Sequence, residues 1–241
     1  MATSFADFAE QINPKTLAEA RRADFRQALR VHGSFVAVAE KRALVWIAER
    51  MPAWVKSDHL TILGFGAQIA TGVCYALAIH DRRMLLAAIV CLAVNWFGDS
   101  FDGTLARVRQ QQRPRYGFYV DHIIDSVGAV AMMGGLALSG YMHPVIAVGL
   151  LIAFLLLSIQ SYLATYTLGE FHISFWRFGP TELRILLVIG NLALFRWAWV
   201  IHGRYRLFDI AGAIGLAGMT AMLIVFSLKN TVRLYREERI G

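Results

Sequence analysis

Six times between residues 60 and 228 the chain runs for about twenty residues with hardly a charge, the length a helix needs to cross the ~30 Å hydrocarbon core of a bilayer. The runs cover roughly 60–80, 84–107, 118–141, 144–168, 182–202 and 207–228. Inside hydrocarbon no water satisfies backbone N–H and C=O groups, so runs of this kind are read as helices. No stretch alternates apolar and polar residues over a useful length, as a half-buried strand would. With 57% of its 241 residues hydrophobic, the chain is too apolar for an ordinary soluble domain. The expected class is therefore all-α: a polytopic membrane protein of six transmembrane helices. Pro144 and Pro180 fall where helices begin and a missing N–H costs little, and Ser57 or Asp58 can cap the first span.

Residues 1–58 are different. They are mixed in charge and lack the apolar core of a signal peptide. In LRVHGSFVAVAEKRALVWIAERM, Val36, Val38, Leu44, Val45, Ile47 and Met51 mingle with Glu40, Lys41, Arg42, Glu49 and Arg50. That pattern predicts amphipathic helices on the membrane surface, the last one ending before Pro52, with a soluble helix packed on a partner as the alternative. The chain thus divides into a cytoplasmic interfacial segment (1–58), a six-helix domain (59–230) and a short basic tail (231–241). The net charge of +7 follows the same plan. With six spans both termini share one side, and nineteen of the 24 Lys and Arg residues fall there, which puts both termini in the cytoplasm. These cations are not interleaved with aromatics on a soluble domain, so nucleic acid is not an expected partner. Cys74 and Cys91 lie in apolar runs without metal-ligand spacing and read as inert thiols.

The costly feature is GDSFDGTLARVRQQQRPRYGFYVDHIID, residues 98–125, with four aspartates at the cytoplasmic ends of the second and third spans. An Asp at bilayer depth costs about 2.5–3.5 kcal/mol on insertion scales, so four together need a cationic partner. Asp99 and Asp102 are three residues apart, Asp121 and Asp125 four, and on helices both spacings share a face. A short loop makes the two helices antiparallel neighbours, so the pairs can converge. Arg107 offsets only part of the charge. Oxygen-only ligands suit Mg²⁺ or Mn²⁺, and two such ions can hold a phosphoryl group between an attacking and a leaving oxygen. Gly103, Ala106 and Gly117 keep the neighbouring surface small, so that a ligand can approach, and Arg107 can reach its phosphates.

Written as a pattern, the stretch is D-x-x-D-G-x-x-A-R, nine residues, then G-x-x-x-D-x-x-x-D. It resembles the signature of the CDP-alcohol phosphotransferase family, whose usual gap is eight residues; the extra one falls in the loop VRQQQRPRY. The resemblance runs from about residue 35 onward. It implies transfer of a substituted phosphate from a CDP-linked donor to an alcohol, with release of CMP, by residues 59–230 acting as the catalytic domain. It implies that Asp99, Asp102, Asp121 and Asp125 match metal-ligand positions, with Asp125 a ligand or the general base. It implies that Thr61, Gly103, Ala106, Arg107 and Gly117 line the nucleotide site, and that the protein works among membrane lipids as a homodimer.

Two donor classes compete. With CDP-diacylglycerol the acceptor is a small polar alcohol, whose phosphate Arg113, Arg115, Arg177 or Arg184 could bind; the compact six-span chain favours this. With CDP-choline or CDP-ethanolamine the acceptor is diacylglycerol. His122 in DHIID and Glu182 in GPTELRI resemble that branch's catalytic His and its supporting Glu, although residue 123 is Ile where the branch has Gly. A divalent-cation transporter is the alternative from another class. It would place its acids near mid-membrane, often in repeated halves, and this sequence shows neither.

Overall fold

The computed structural model describes residues 35–168, 180–197, 199–200 and 204–238. Seven helices occupy nearly all of them: α1 (Phe35–Arg50), α2 (Ser57–Leu77), α3 (Met84–Val108), α4 (Pro114–Leu138), α5 (Pro144–Leu168), α6 (Pro180–Arg196) and α7 (Leu207–Glu237). Prolines open α4, α5 and α6, two of them where the sequence placed them. Among the described residues five helices, α2 to α5 and α7, are long and apolar enough to cross a membrane. Much of their apolar surface, including Val90, Val130, Ile152 and Val225, is left facing outward. The chain is an all-α, multi-pass integral membrane protein.

The remaining expected span, 182–202, takes a different form. The helix there, α6, has 17 residues and stops at Arg196. Trp199–Val200 (β1) then pairs antiparallel with Tyr205–Arg206 (β2), Trp199 opposite Arg206 and Val200 opposite Tyr205. Aromatic and β-branched residues suit an extended, pleated backbone, and hydropathy alone did not distinguish this turn from a helix end. The last helix is longer than expected: α7 runs 31 residues, about 46 Å at 1.5 Å per residue, and carries the start of the basic tail as continuous helix. Arg233 and Glu237 pair on that extension at 2.9 Å.

α2 is the hub, packed along both α3 and α4; α3 also meets α1 and α6, and α5 bridges α4 and α7. Glycines let α2 approach so closely. A Cβ on Gly98 would lie 2.6 Å from Gly64 Cα and N and from the Leu60 carbonyl oxygen, and one on Gly135 would lie 2.0 Å from the Gly72 carbonyl oxygen. Small residues at such crossings bring backbones together where lipid supplies no hydrophobic drive. One core gathers Tyr75, Leu85, Leu92, Leu136, Ala147, Leu194 and Phe208 at one end of the bundle. A second, at the other end, joins Leu44 and Ala48 of α1 to Leu60, Phe101 and Leu105.

α1, expected at the membrane interface, is packed into the bundle. Its apolar stripe is packed on α2 and α3, while Trp46, with Arg50 stacked 4.1 Å from its ring, stays exposed together with Trp54. Arg109, at the end of α3, donates to the carbonyls of Met51, Pro52 and Val55 and so latches the α1–α2 linker. α3 ends in a Schellman turn: Gln111 N–H bonds to the Ala106 carbonyl and Gln110 N–H to that of Arg107, with Gln110 at φ 56°, where glycine is usual.

Candidate active site

The helix crossings just described place four side-chain groups at one end of the bundle. From the last turns of α3 come Asp99 and Asp102; from the first half of α4, Asp121 and Asp125; from the start of α2, Ser57 and Thr61; from the start of α6, Arg184.

Asp102 is the most enclosed, 8% exposed. Thr61 Oγ1 donates to its Oδ2 at 2.7 Å, the Gly103 N–H donates to its Oδ1, and Ser57 Oγ donates to its backbone carbonyl at 2.9 Å. Ser57 or Asp58 was expected to cap α2. Instead the cap position is Lys56, Ser57 is the first helical residue, and its hydroxyl is spent on Asp102. Thr61, expected at the nucleotide, donates to the Asp102 carboxylate rather than to its backbone.

Asp99 is more open and pairs with Arg184, Nη2 to Oδ2 at 2.7 Å. Asp102 lies within electrostatic reach of Asp99 and Asp121, and Asp125 within reach of Asp99, Asp102, Asp121 and Arg184. α3 and α4, expected as direct antiparallel neighbours, both pack on α2 and touch each other little, so the two aspartate pairs come from helices that scarcely meet. They are not drawn around a single point. Among the described residues no three His, Cys, Asp or Glu side chains form a ready ligand cluster, because Asp99 turns to Arg184 and Asp102 to Thr61 and Gly103. The donor set still fits a hard divalent cation: every side chain in it offers oxygen.

Arg107 is exposed and donates to Thr104 Oγ1 at 3.0 Å. A Cβ on Gly103 would come within 3.3 Å of the Arg107 guanidinium, whereas one on Gly117 would meet nothing within 4 Å. Ala106 is half-buried beside them. His122 turns elsewhere. Its Nδ1 contacts the Phe118 carbonyl, and its ring packs 4.2 Å from Phe118 and edge-on, 4.6 Å, to Tyr162 of α5. Glu182 lies in the first turn of α6 and its side chain is outside the described part of the structure, as is Arg177. Arg113 pairs with Asp58, tying the α3–α4 loop to the start of α2.

The sequence had not singled out Asn95. It is 5% exposed, one helical turn before Asp99, and accepts from Arg184. The i,i+4 spacing from Asp99 was its only signal.

A family model of CDP-alcohol phosphatidyltransferases matches residues 54–228. The chain belongs to this family. The match spans α2 to α6 and most of α7, and so takes in every aspartate of the site. No curated protein matches the chain. Members of the CDP-alcohol phosphatidyltransferase family move a phosphate-bearing group from a CDP-alcohol to an acceptor, so a transferase is supported over a cation transporter.

Proposed function

We propose that the protein transfers a phosphatidyl group from CDP-diacylglycerol to a small polar alcohol and releases CMP, as a step in phospholipid synthesis at the cytoplasmic face of the membrane. The observation that carries this reading is that Asp99 and Asp102, late in α3, and Asp121 and Asp125, early in α4, all fall inside the region the family matches. These four would hold two Mg²⁺ or Mn²⁺ ions, which when bound supply charge neutralisation on the pyrophosphate and the departing CMP. Arg107, whose guanidinium lies beside Gly103, would bind donor phosphate, and the nucleotide would approach at Gly117, where a Cβ would meet nothing within 4 Å.

The acceptor hydroxyl oxygen attacks the phosphorus distal to the cytidine. A new P–O bond forms, the P–O bond to CMP breaks, and CMP leaves with the electron pair. The hydroxyl proton passes to the Asp125 carboxylate. Orientation of the two substrates and a preset electrostatic field supply most of the acceleration. Asp125 is favoured over His122 as base because it shares a helix face with Asp121, whereas His122 packs on Phe118 and Tyr162. We expect Asp125→Asn to lower turnover by about 10²–10⁴-fold, the usual worth of a general base, and His122→Ala to lower it less. The reverse order, read from initial rates of CMP release, would move the base to His122.

His122 and Glu182 keep a second donor class in view, CDP-choline or CDP-ethanolamine with diacylglycerol as acceptor. CMP release from the purified protein in Mg²⁺-containing detergent, across a panel of CDP donors and alcohols, separates the two. Turnover is expected with CDP-diacylglycerol and a small polar alcohol. Turnover with CDP-choline and diacylglycerol instead would overturn the donor assignment, and no CMP from any pair would overturn the activity.

A further inference from the structure

Asp99 does not set its own direction. Asn95 and Asp99 are four residues apart on one face of α3, and a single guanidinium from α6 meets both. Arg184 Nε donates to Asn95 Oδ1 at 2.9 Å, and Arg184 Nη2 donates to Asp99 Oδ2 at 2.7 Å. The other end of the Asn95 amide donates to the Gly64 carbonyl of α2 at 3.0 Å. That bond is possible because Gly64 and Gly98 let the α2 and α3 backbones nearly touch.

An amide has one donor end and one acceptor end. With the donor end committed to Gly64, only the oxygen is left to face α6, where it selects an N–H donor. A guanidinium is planar and presents its N–H groups in a fixed fork, so two bonds fix its rotation as well as its place. Arg184 is thereby aimed, and it in turn holds one carboxylate oxygen of Asp99. A half-exposed ion pair alone would contribute little to stability, and the Asp99 side chain is 42% exposed. The buried amide behind the arginine, linking three helices, is what a positioning device requires.

We propose that Asn95 and Arg184 are positioning residues that orient Asp99 for divalent-cation binding. This rests on the reading of Asp99 as a metal ligand. Groups that orient a ligand from behind typically govern metal affinity by about 10–100-fold.

The test uses the full-length protein in detergent, with Mn²⁺ as probe and free Mn²⁺ followed by electron paramagnetic resonance. Asn95→Leu and Arg184→Gln are expected to weaken Mn²⁺ binding by about 10-fold or more. The Mg²⁺ concentration for half-maximal CMP release should rise by a similar factor, with donor KM at saturating metal unchanged. Arg184→Lys keeps the charge but loses the fork, so it should remain weakened. Full wild-type affinity in Arg184→Lys would overturn the geometric role, as would unchanged affinity in Asn95→Leu and Arg184→Gln. Should Asn95→Leu elute as aggregate, the two Arg184 variants decide. An Asp99→Asn protein that binds Mn²⁺ like the wild type would overturn the metal reading and this proposal together. Weakened binding in Asp99→Asn with unchanged binding in the other variants would overturn the positioning role alone.

Discussion

Asp102→Asn is expected to abolish CMP release, a fall of at least about 10³-fold, the upper range for removing one electrostatic contributor to a transition state. The substitution keeps the side chain's shape and removes its charge. Asp102 is the carboxylate most withdrawn from the surface, and its immediate partners are neutral: the Thr61 hydroxyl, the Gly103 N–H and, at its carbonyl, the Ser57 hydroxyl. Nothing in that set needs a negative charge for folding, because an Asn oxygen accepts from Gly103 and the Thr61 hydroxyl can rotate to accept from the new amide. The expected protein is folded, close to wild type in Tm, and inactive at any Mg²⁺ concentration. More than a tenth of wild-type activity would remove Asp102 from the metal-binding set.

The second large effect falls on the fold. A methyl added at Gly135 would sit 2.0 Å from the Gly72 carbonyl oxygen, a backbone atom that cannot swing aside. Gly135→Ala must therefore push α4 away from α2, at a cost of about 1–3 kcal/mol, typical of overpacking. Its neighbour provides the control. A Cβ on Gly134 meets nothing within 4 Å, so Gly134→Ala should leave stability unchanged or raise it slightly through better helix propensity. Thermal unfolding in detergent, followed by circular dichroism, separates the two. Equal Tm values would mean that α2 and α4 do not meet at these glycines.

Much of the molecule was legible before any coordinate. Helical spans are set by length and apolarity, since hydrocarbon leaves the backbone no other partner, and four of the six expected spans coincide with long helices to within a few residues. The fifth failed at its C-terminal end because Trp199, Val200 and Tyr205 are as apolar as a helix end yet pair as strands. The sixth was drawn too short, since α7 continues as helix after its hydropathy falls.

The site divides in the same way. Three- and four-residue spacings, with Gly103, Ala106 and Arg107 at their offsets, are local facts of one helix or two adjacent ones, and they identified Asp99, Asp102, Asp121 and Asp125. Partners from distant helices carry no such mark. Ser57, one of two candidate caps, donates to the Asp102 carbonyl; Arg184, one of four candidate phosphate ligands, pairs with Asp99; Asn95 was not singled out at all.

By itself the sequence determined the membrane-spanning class and singled out the four carboxylates as candidates, because each reading follows from periodicity along one helix and from the cost of charge in lipid. Only the tertiary structure decided where α2 touches α3 and α4, which hydroxyl meets Asp102 and which guanidinium meets Asp99. Those contacts depend on how closely backbones approach at Gly64, Gly98, Gly72 and Gly135, and a glycine has no side chain to announce which neighbour it admits.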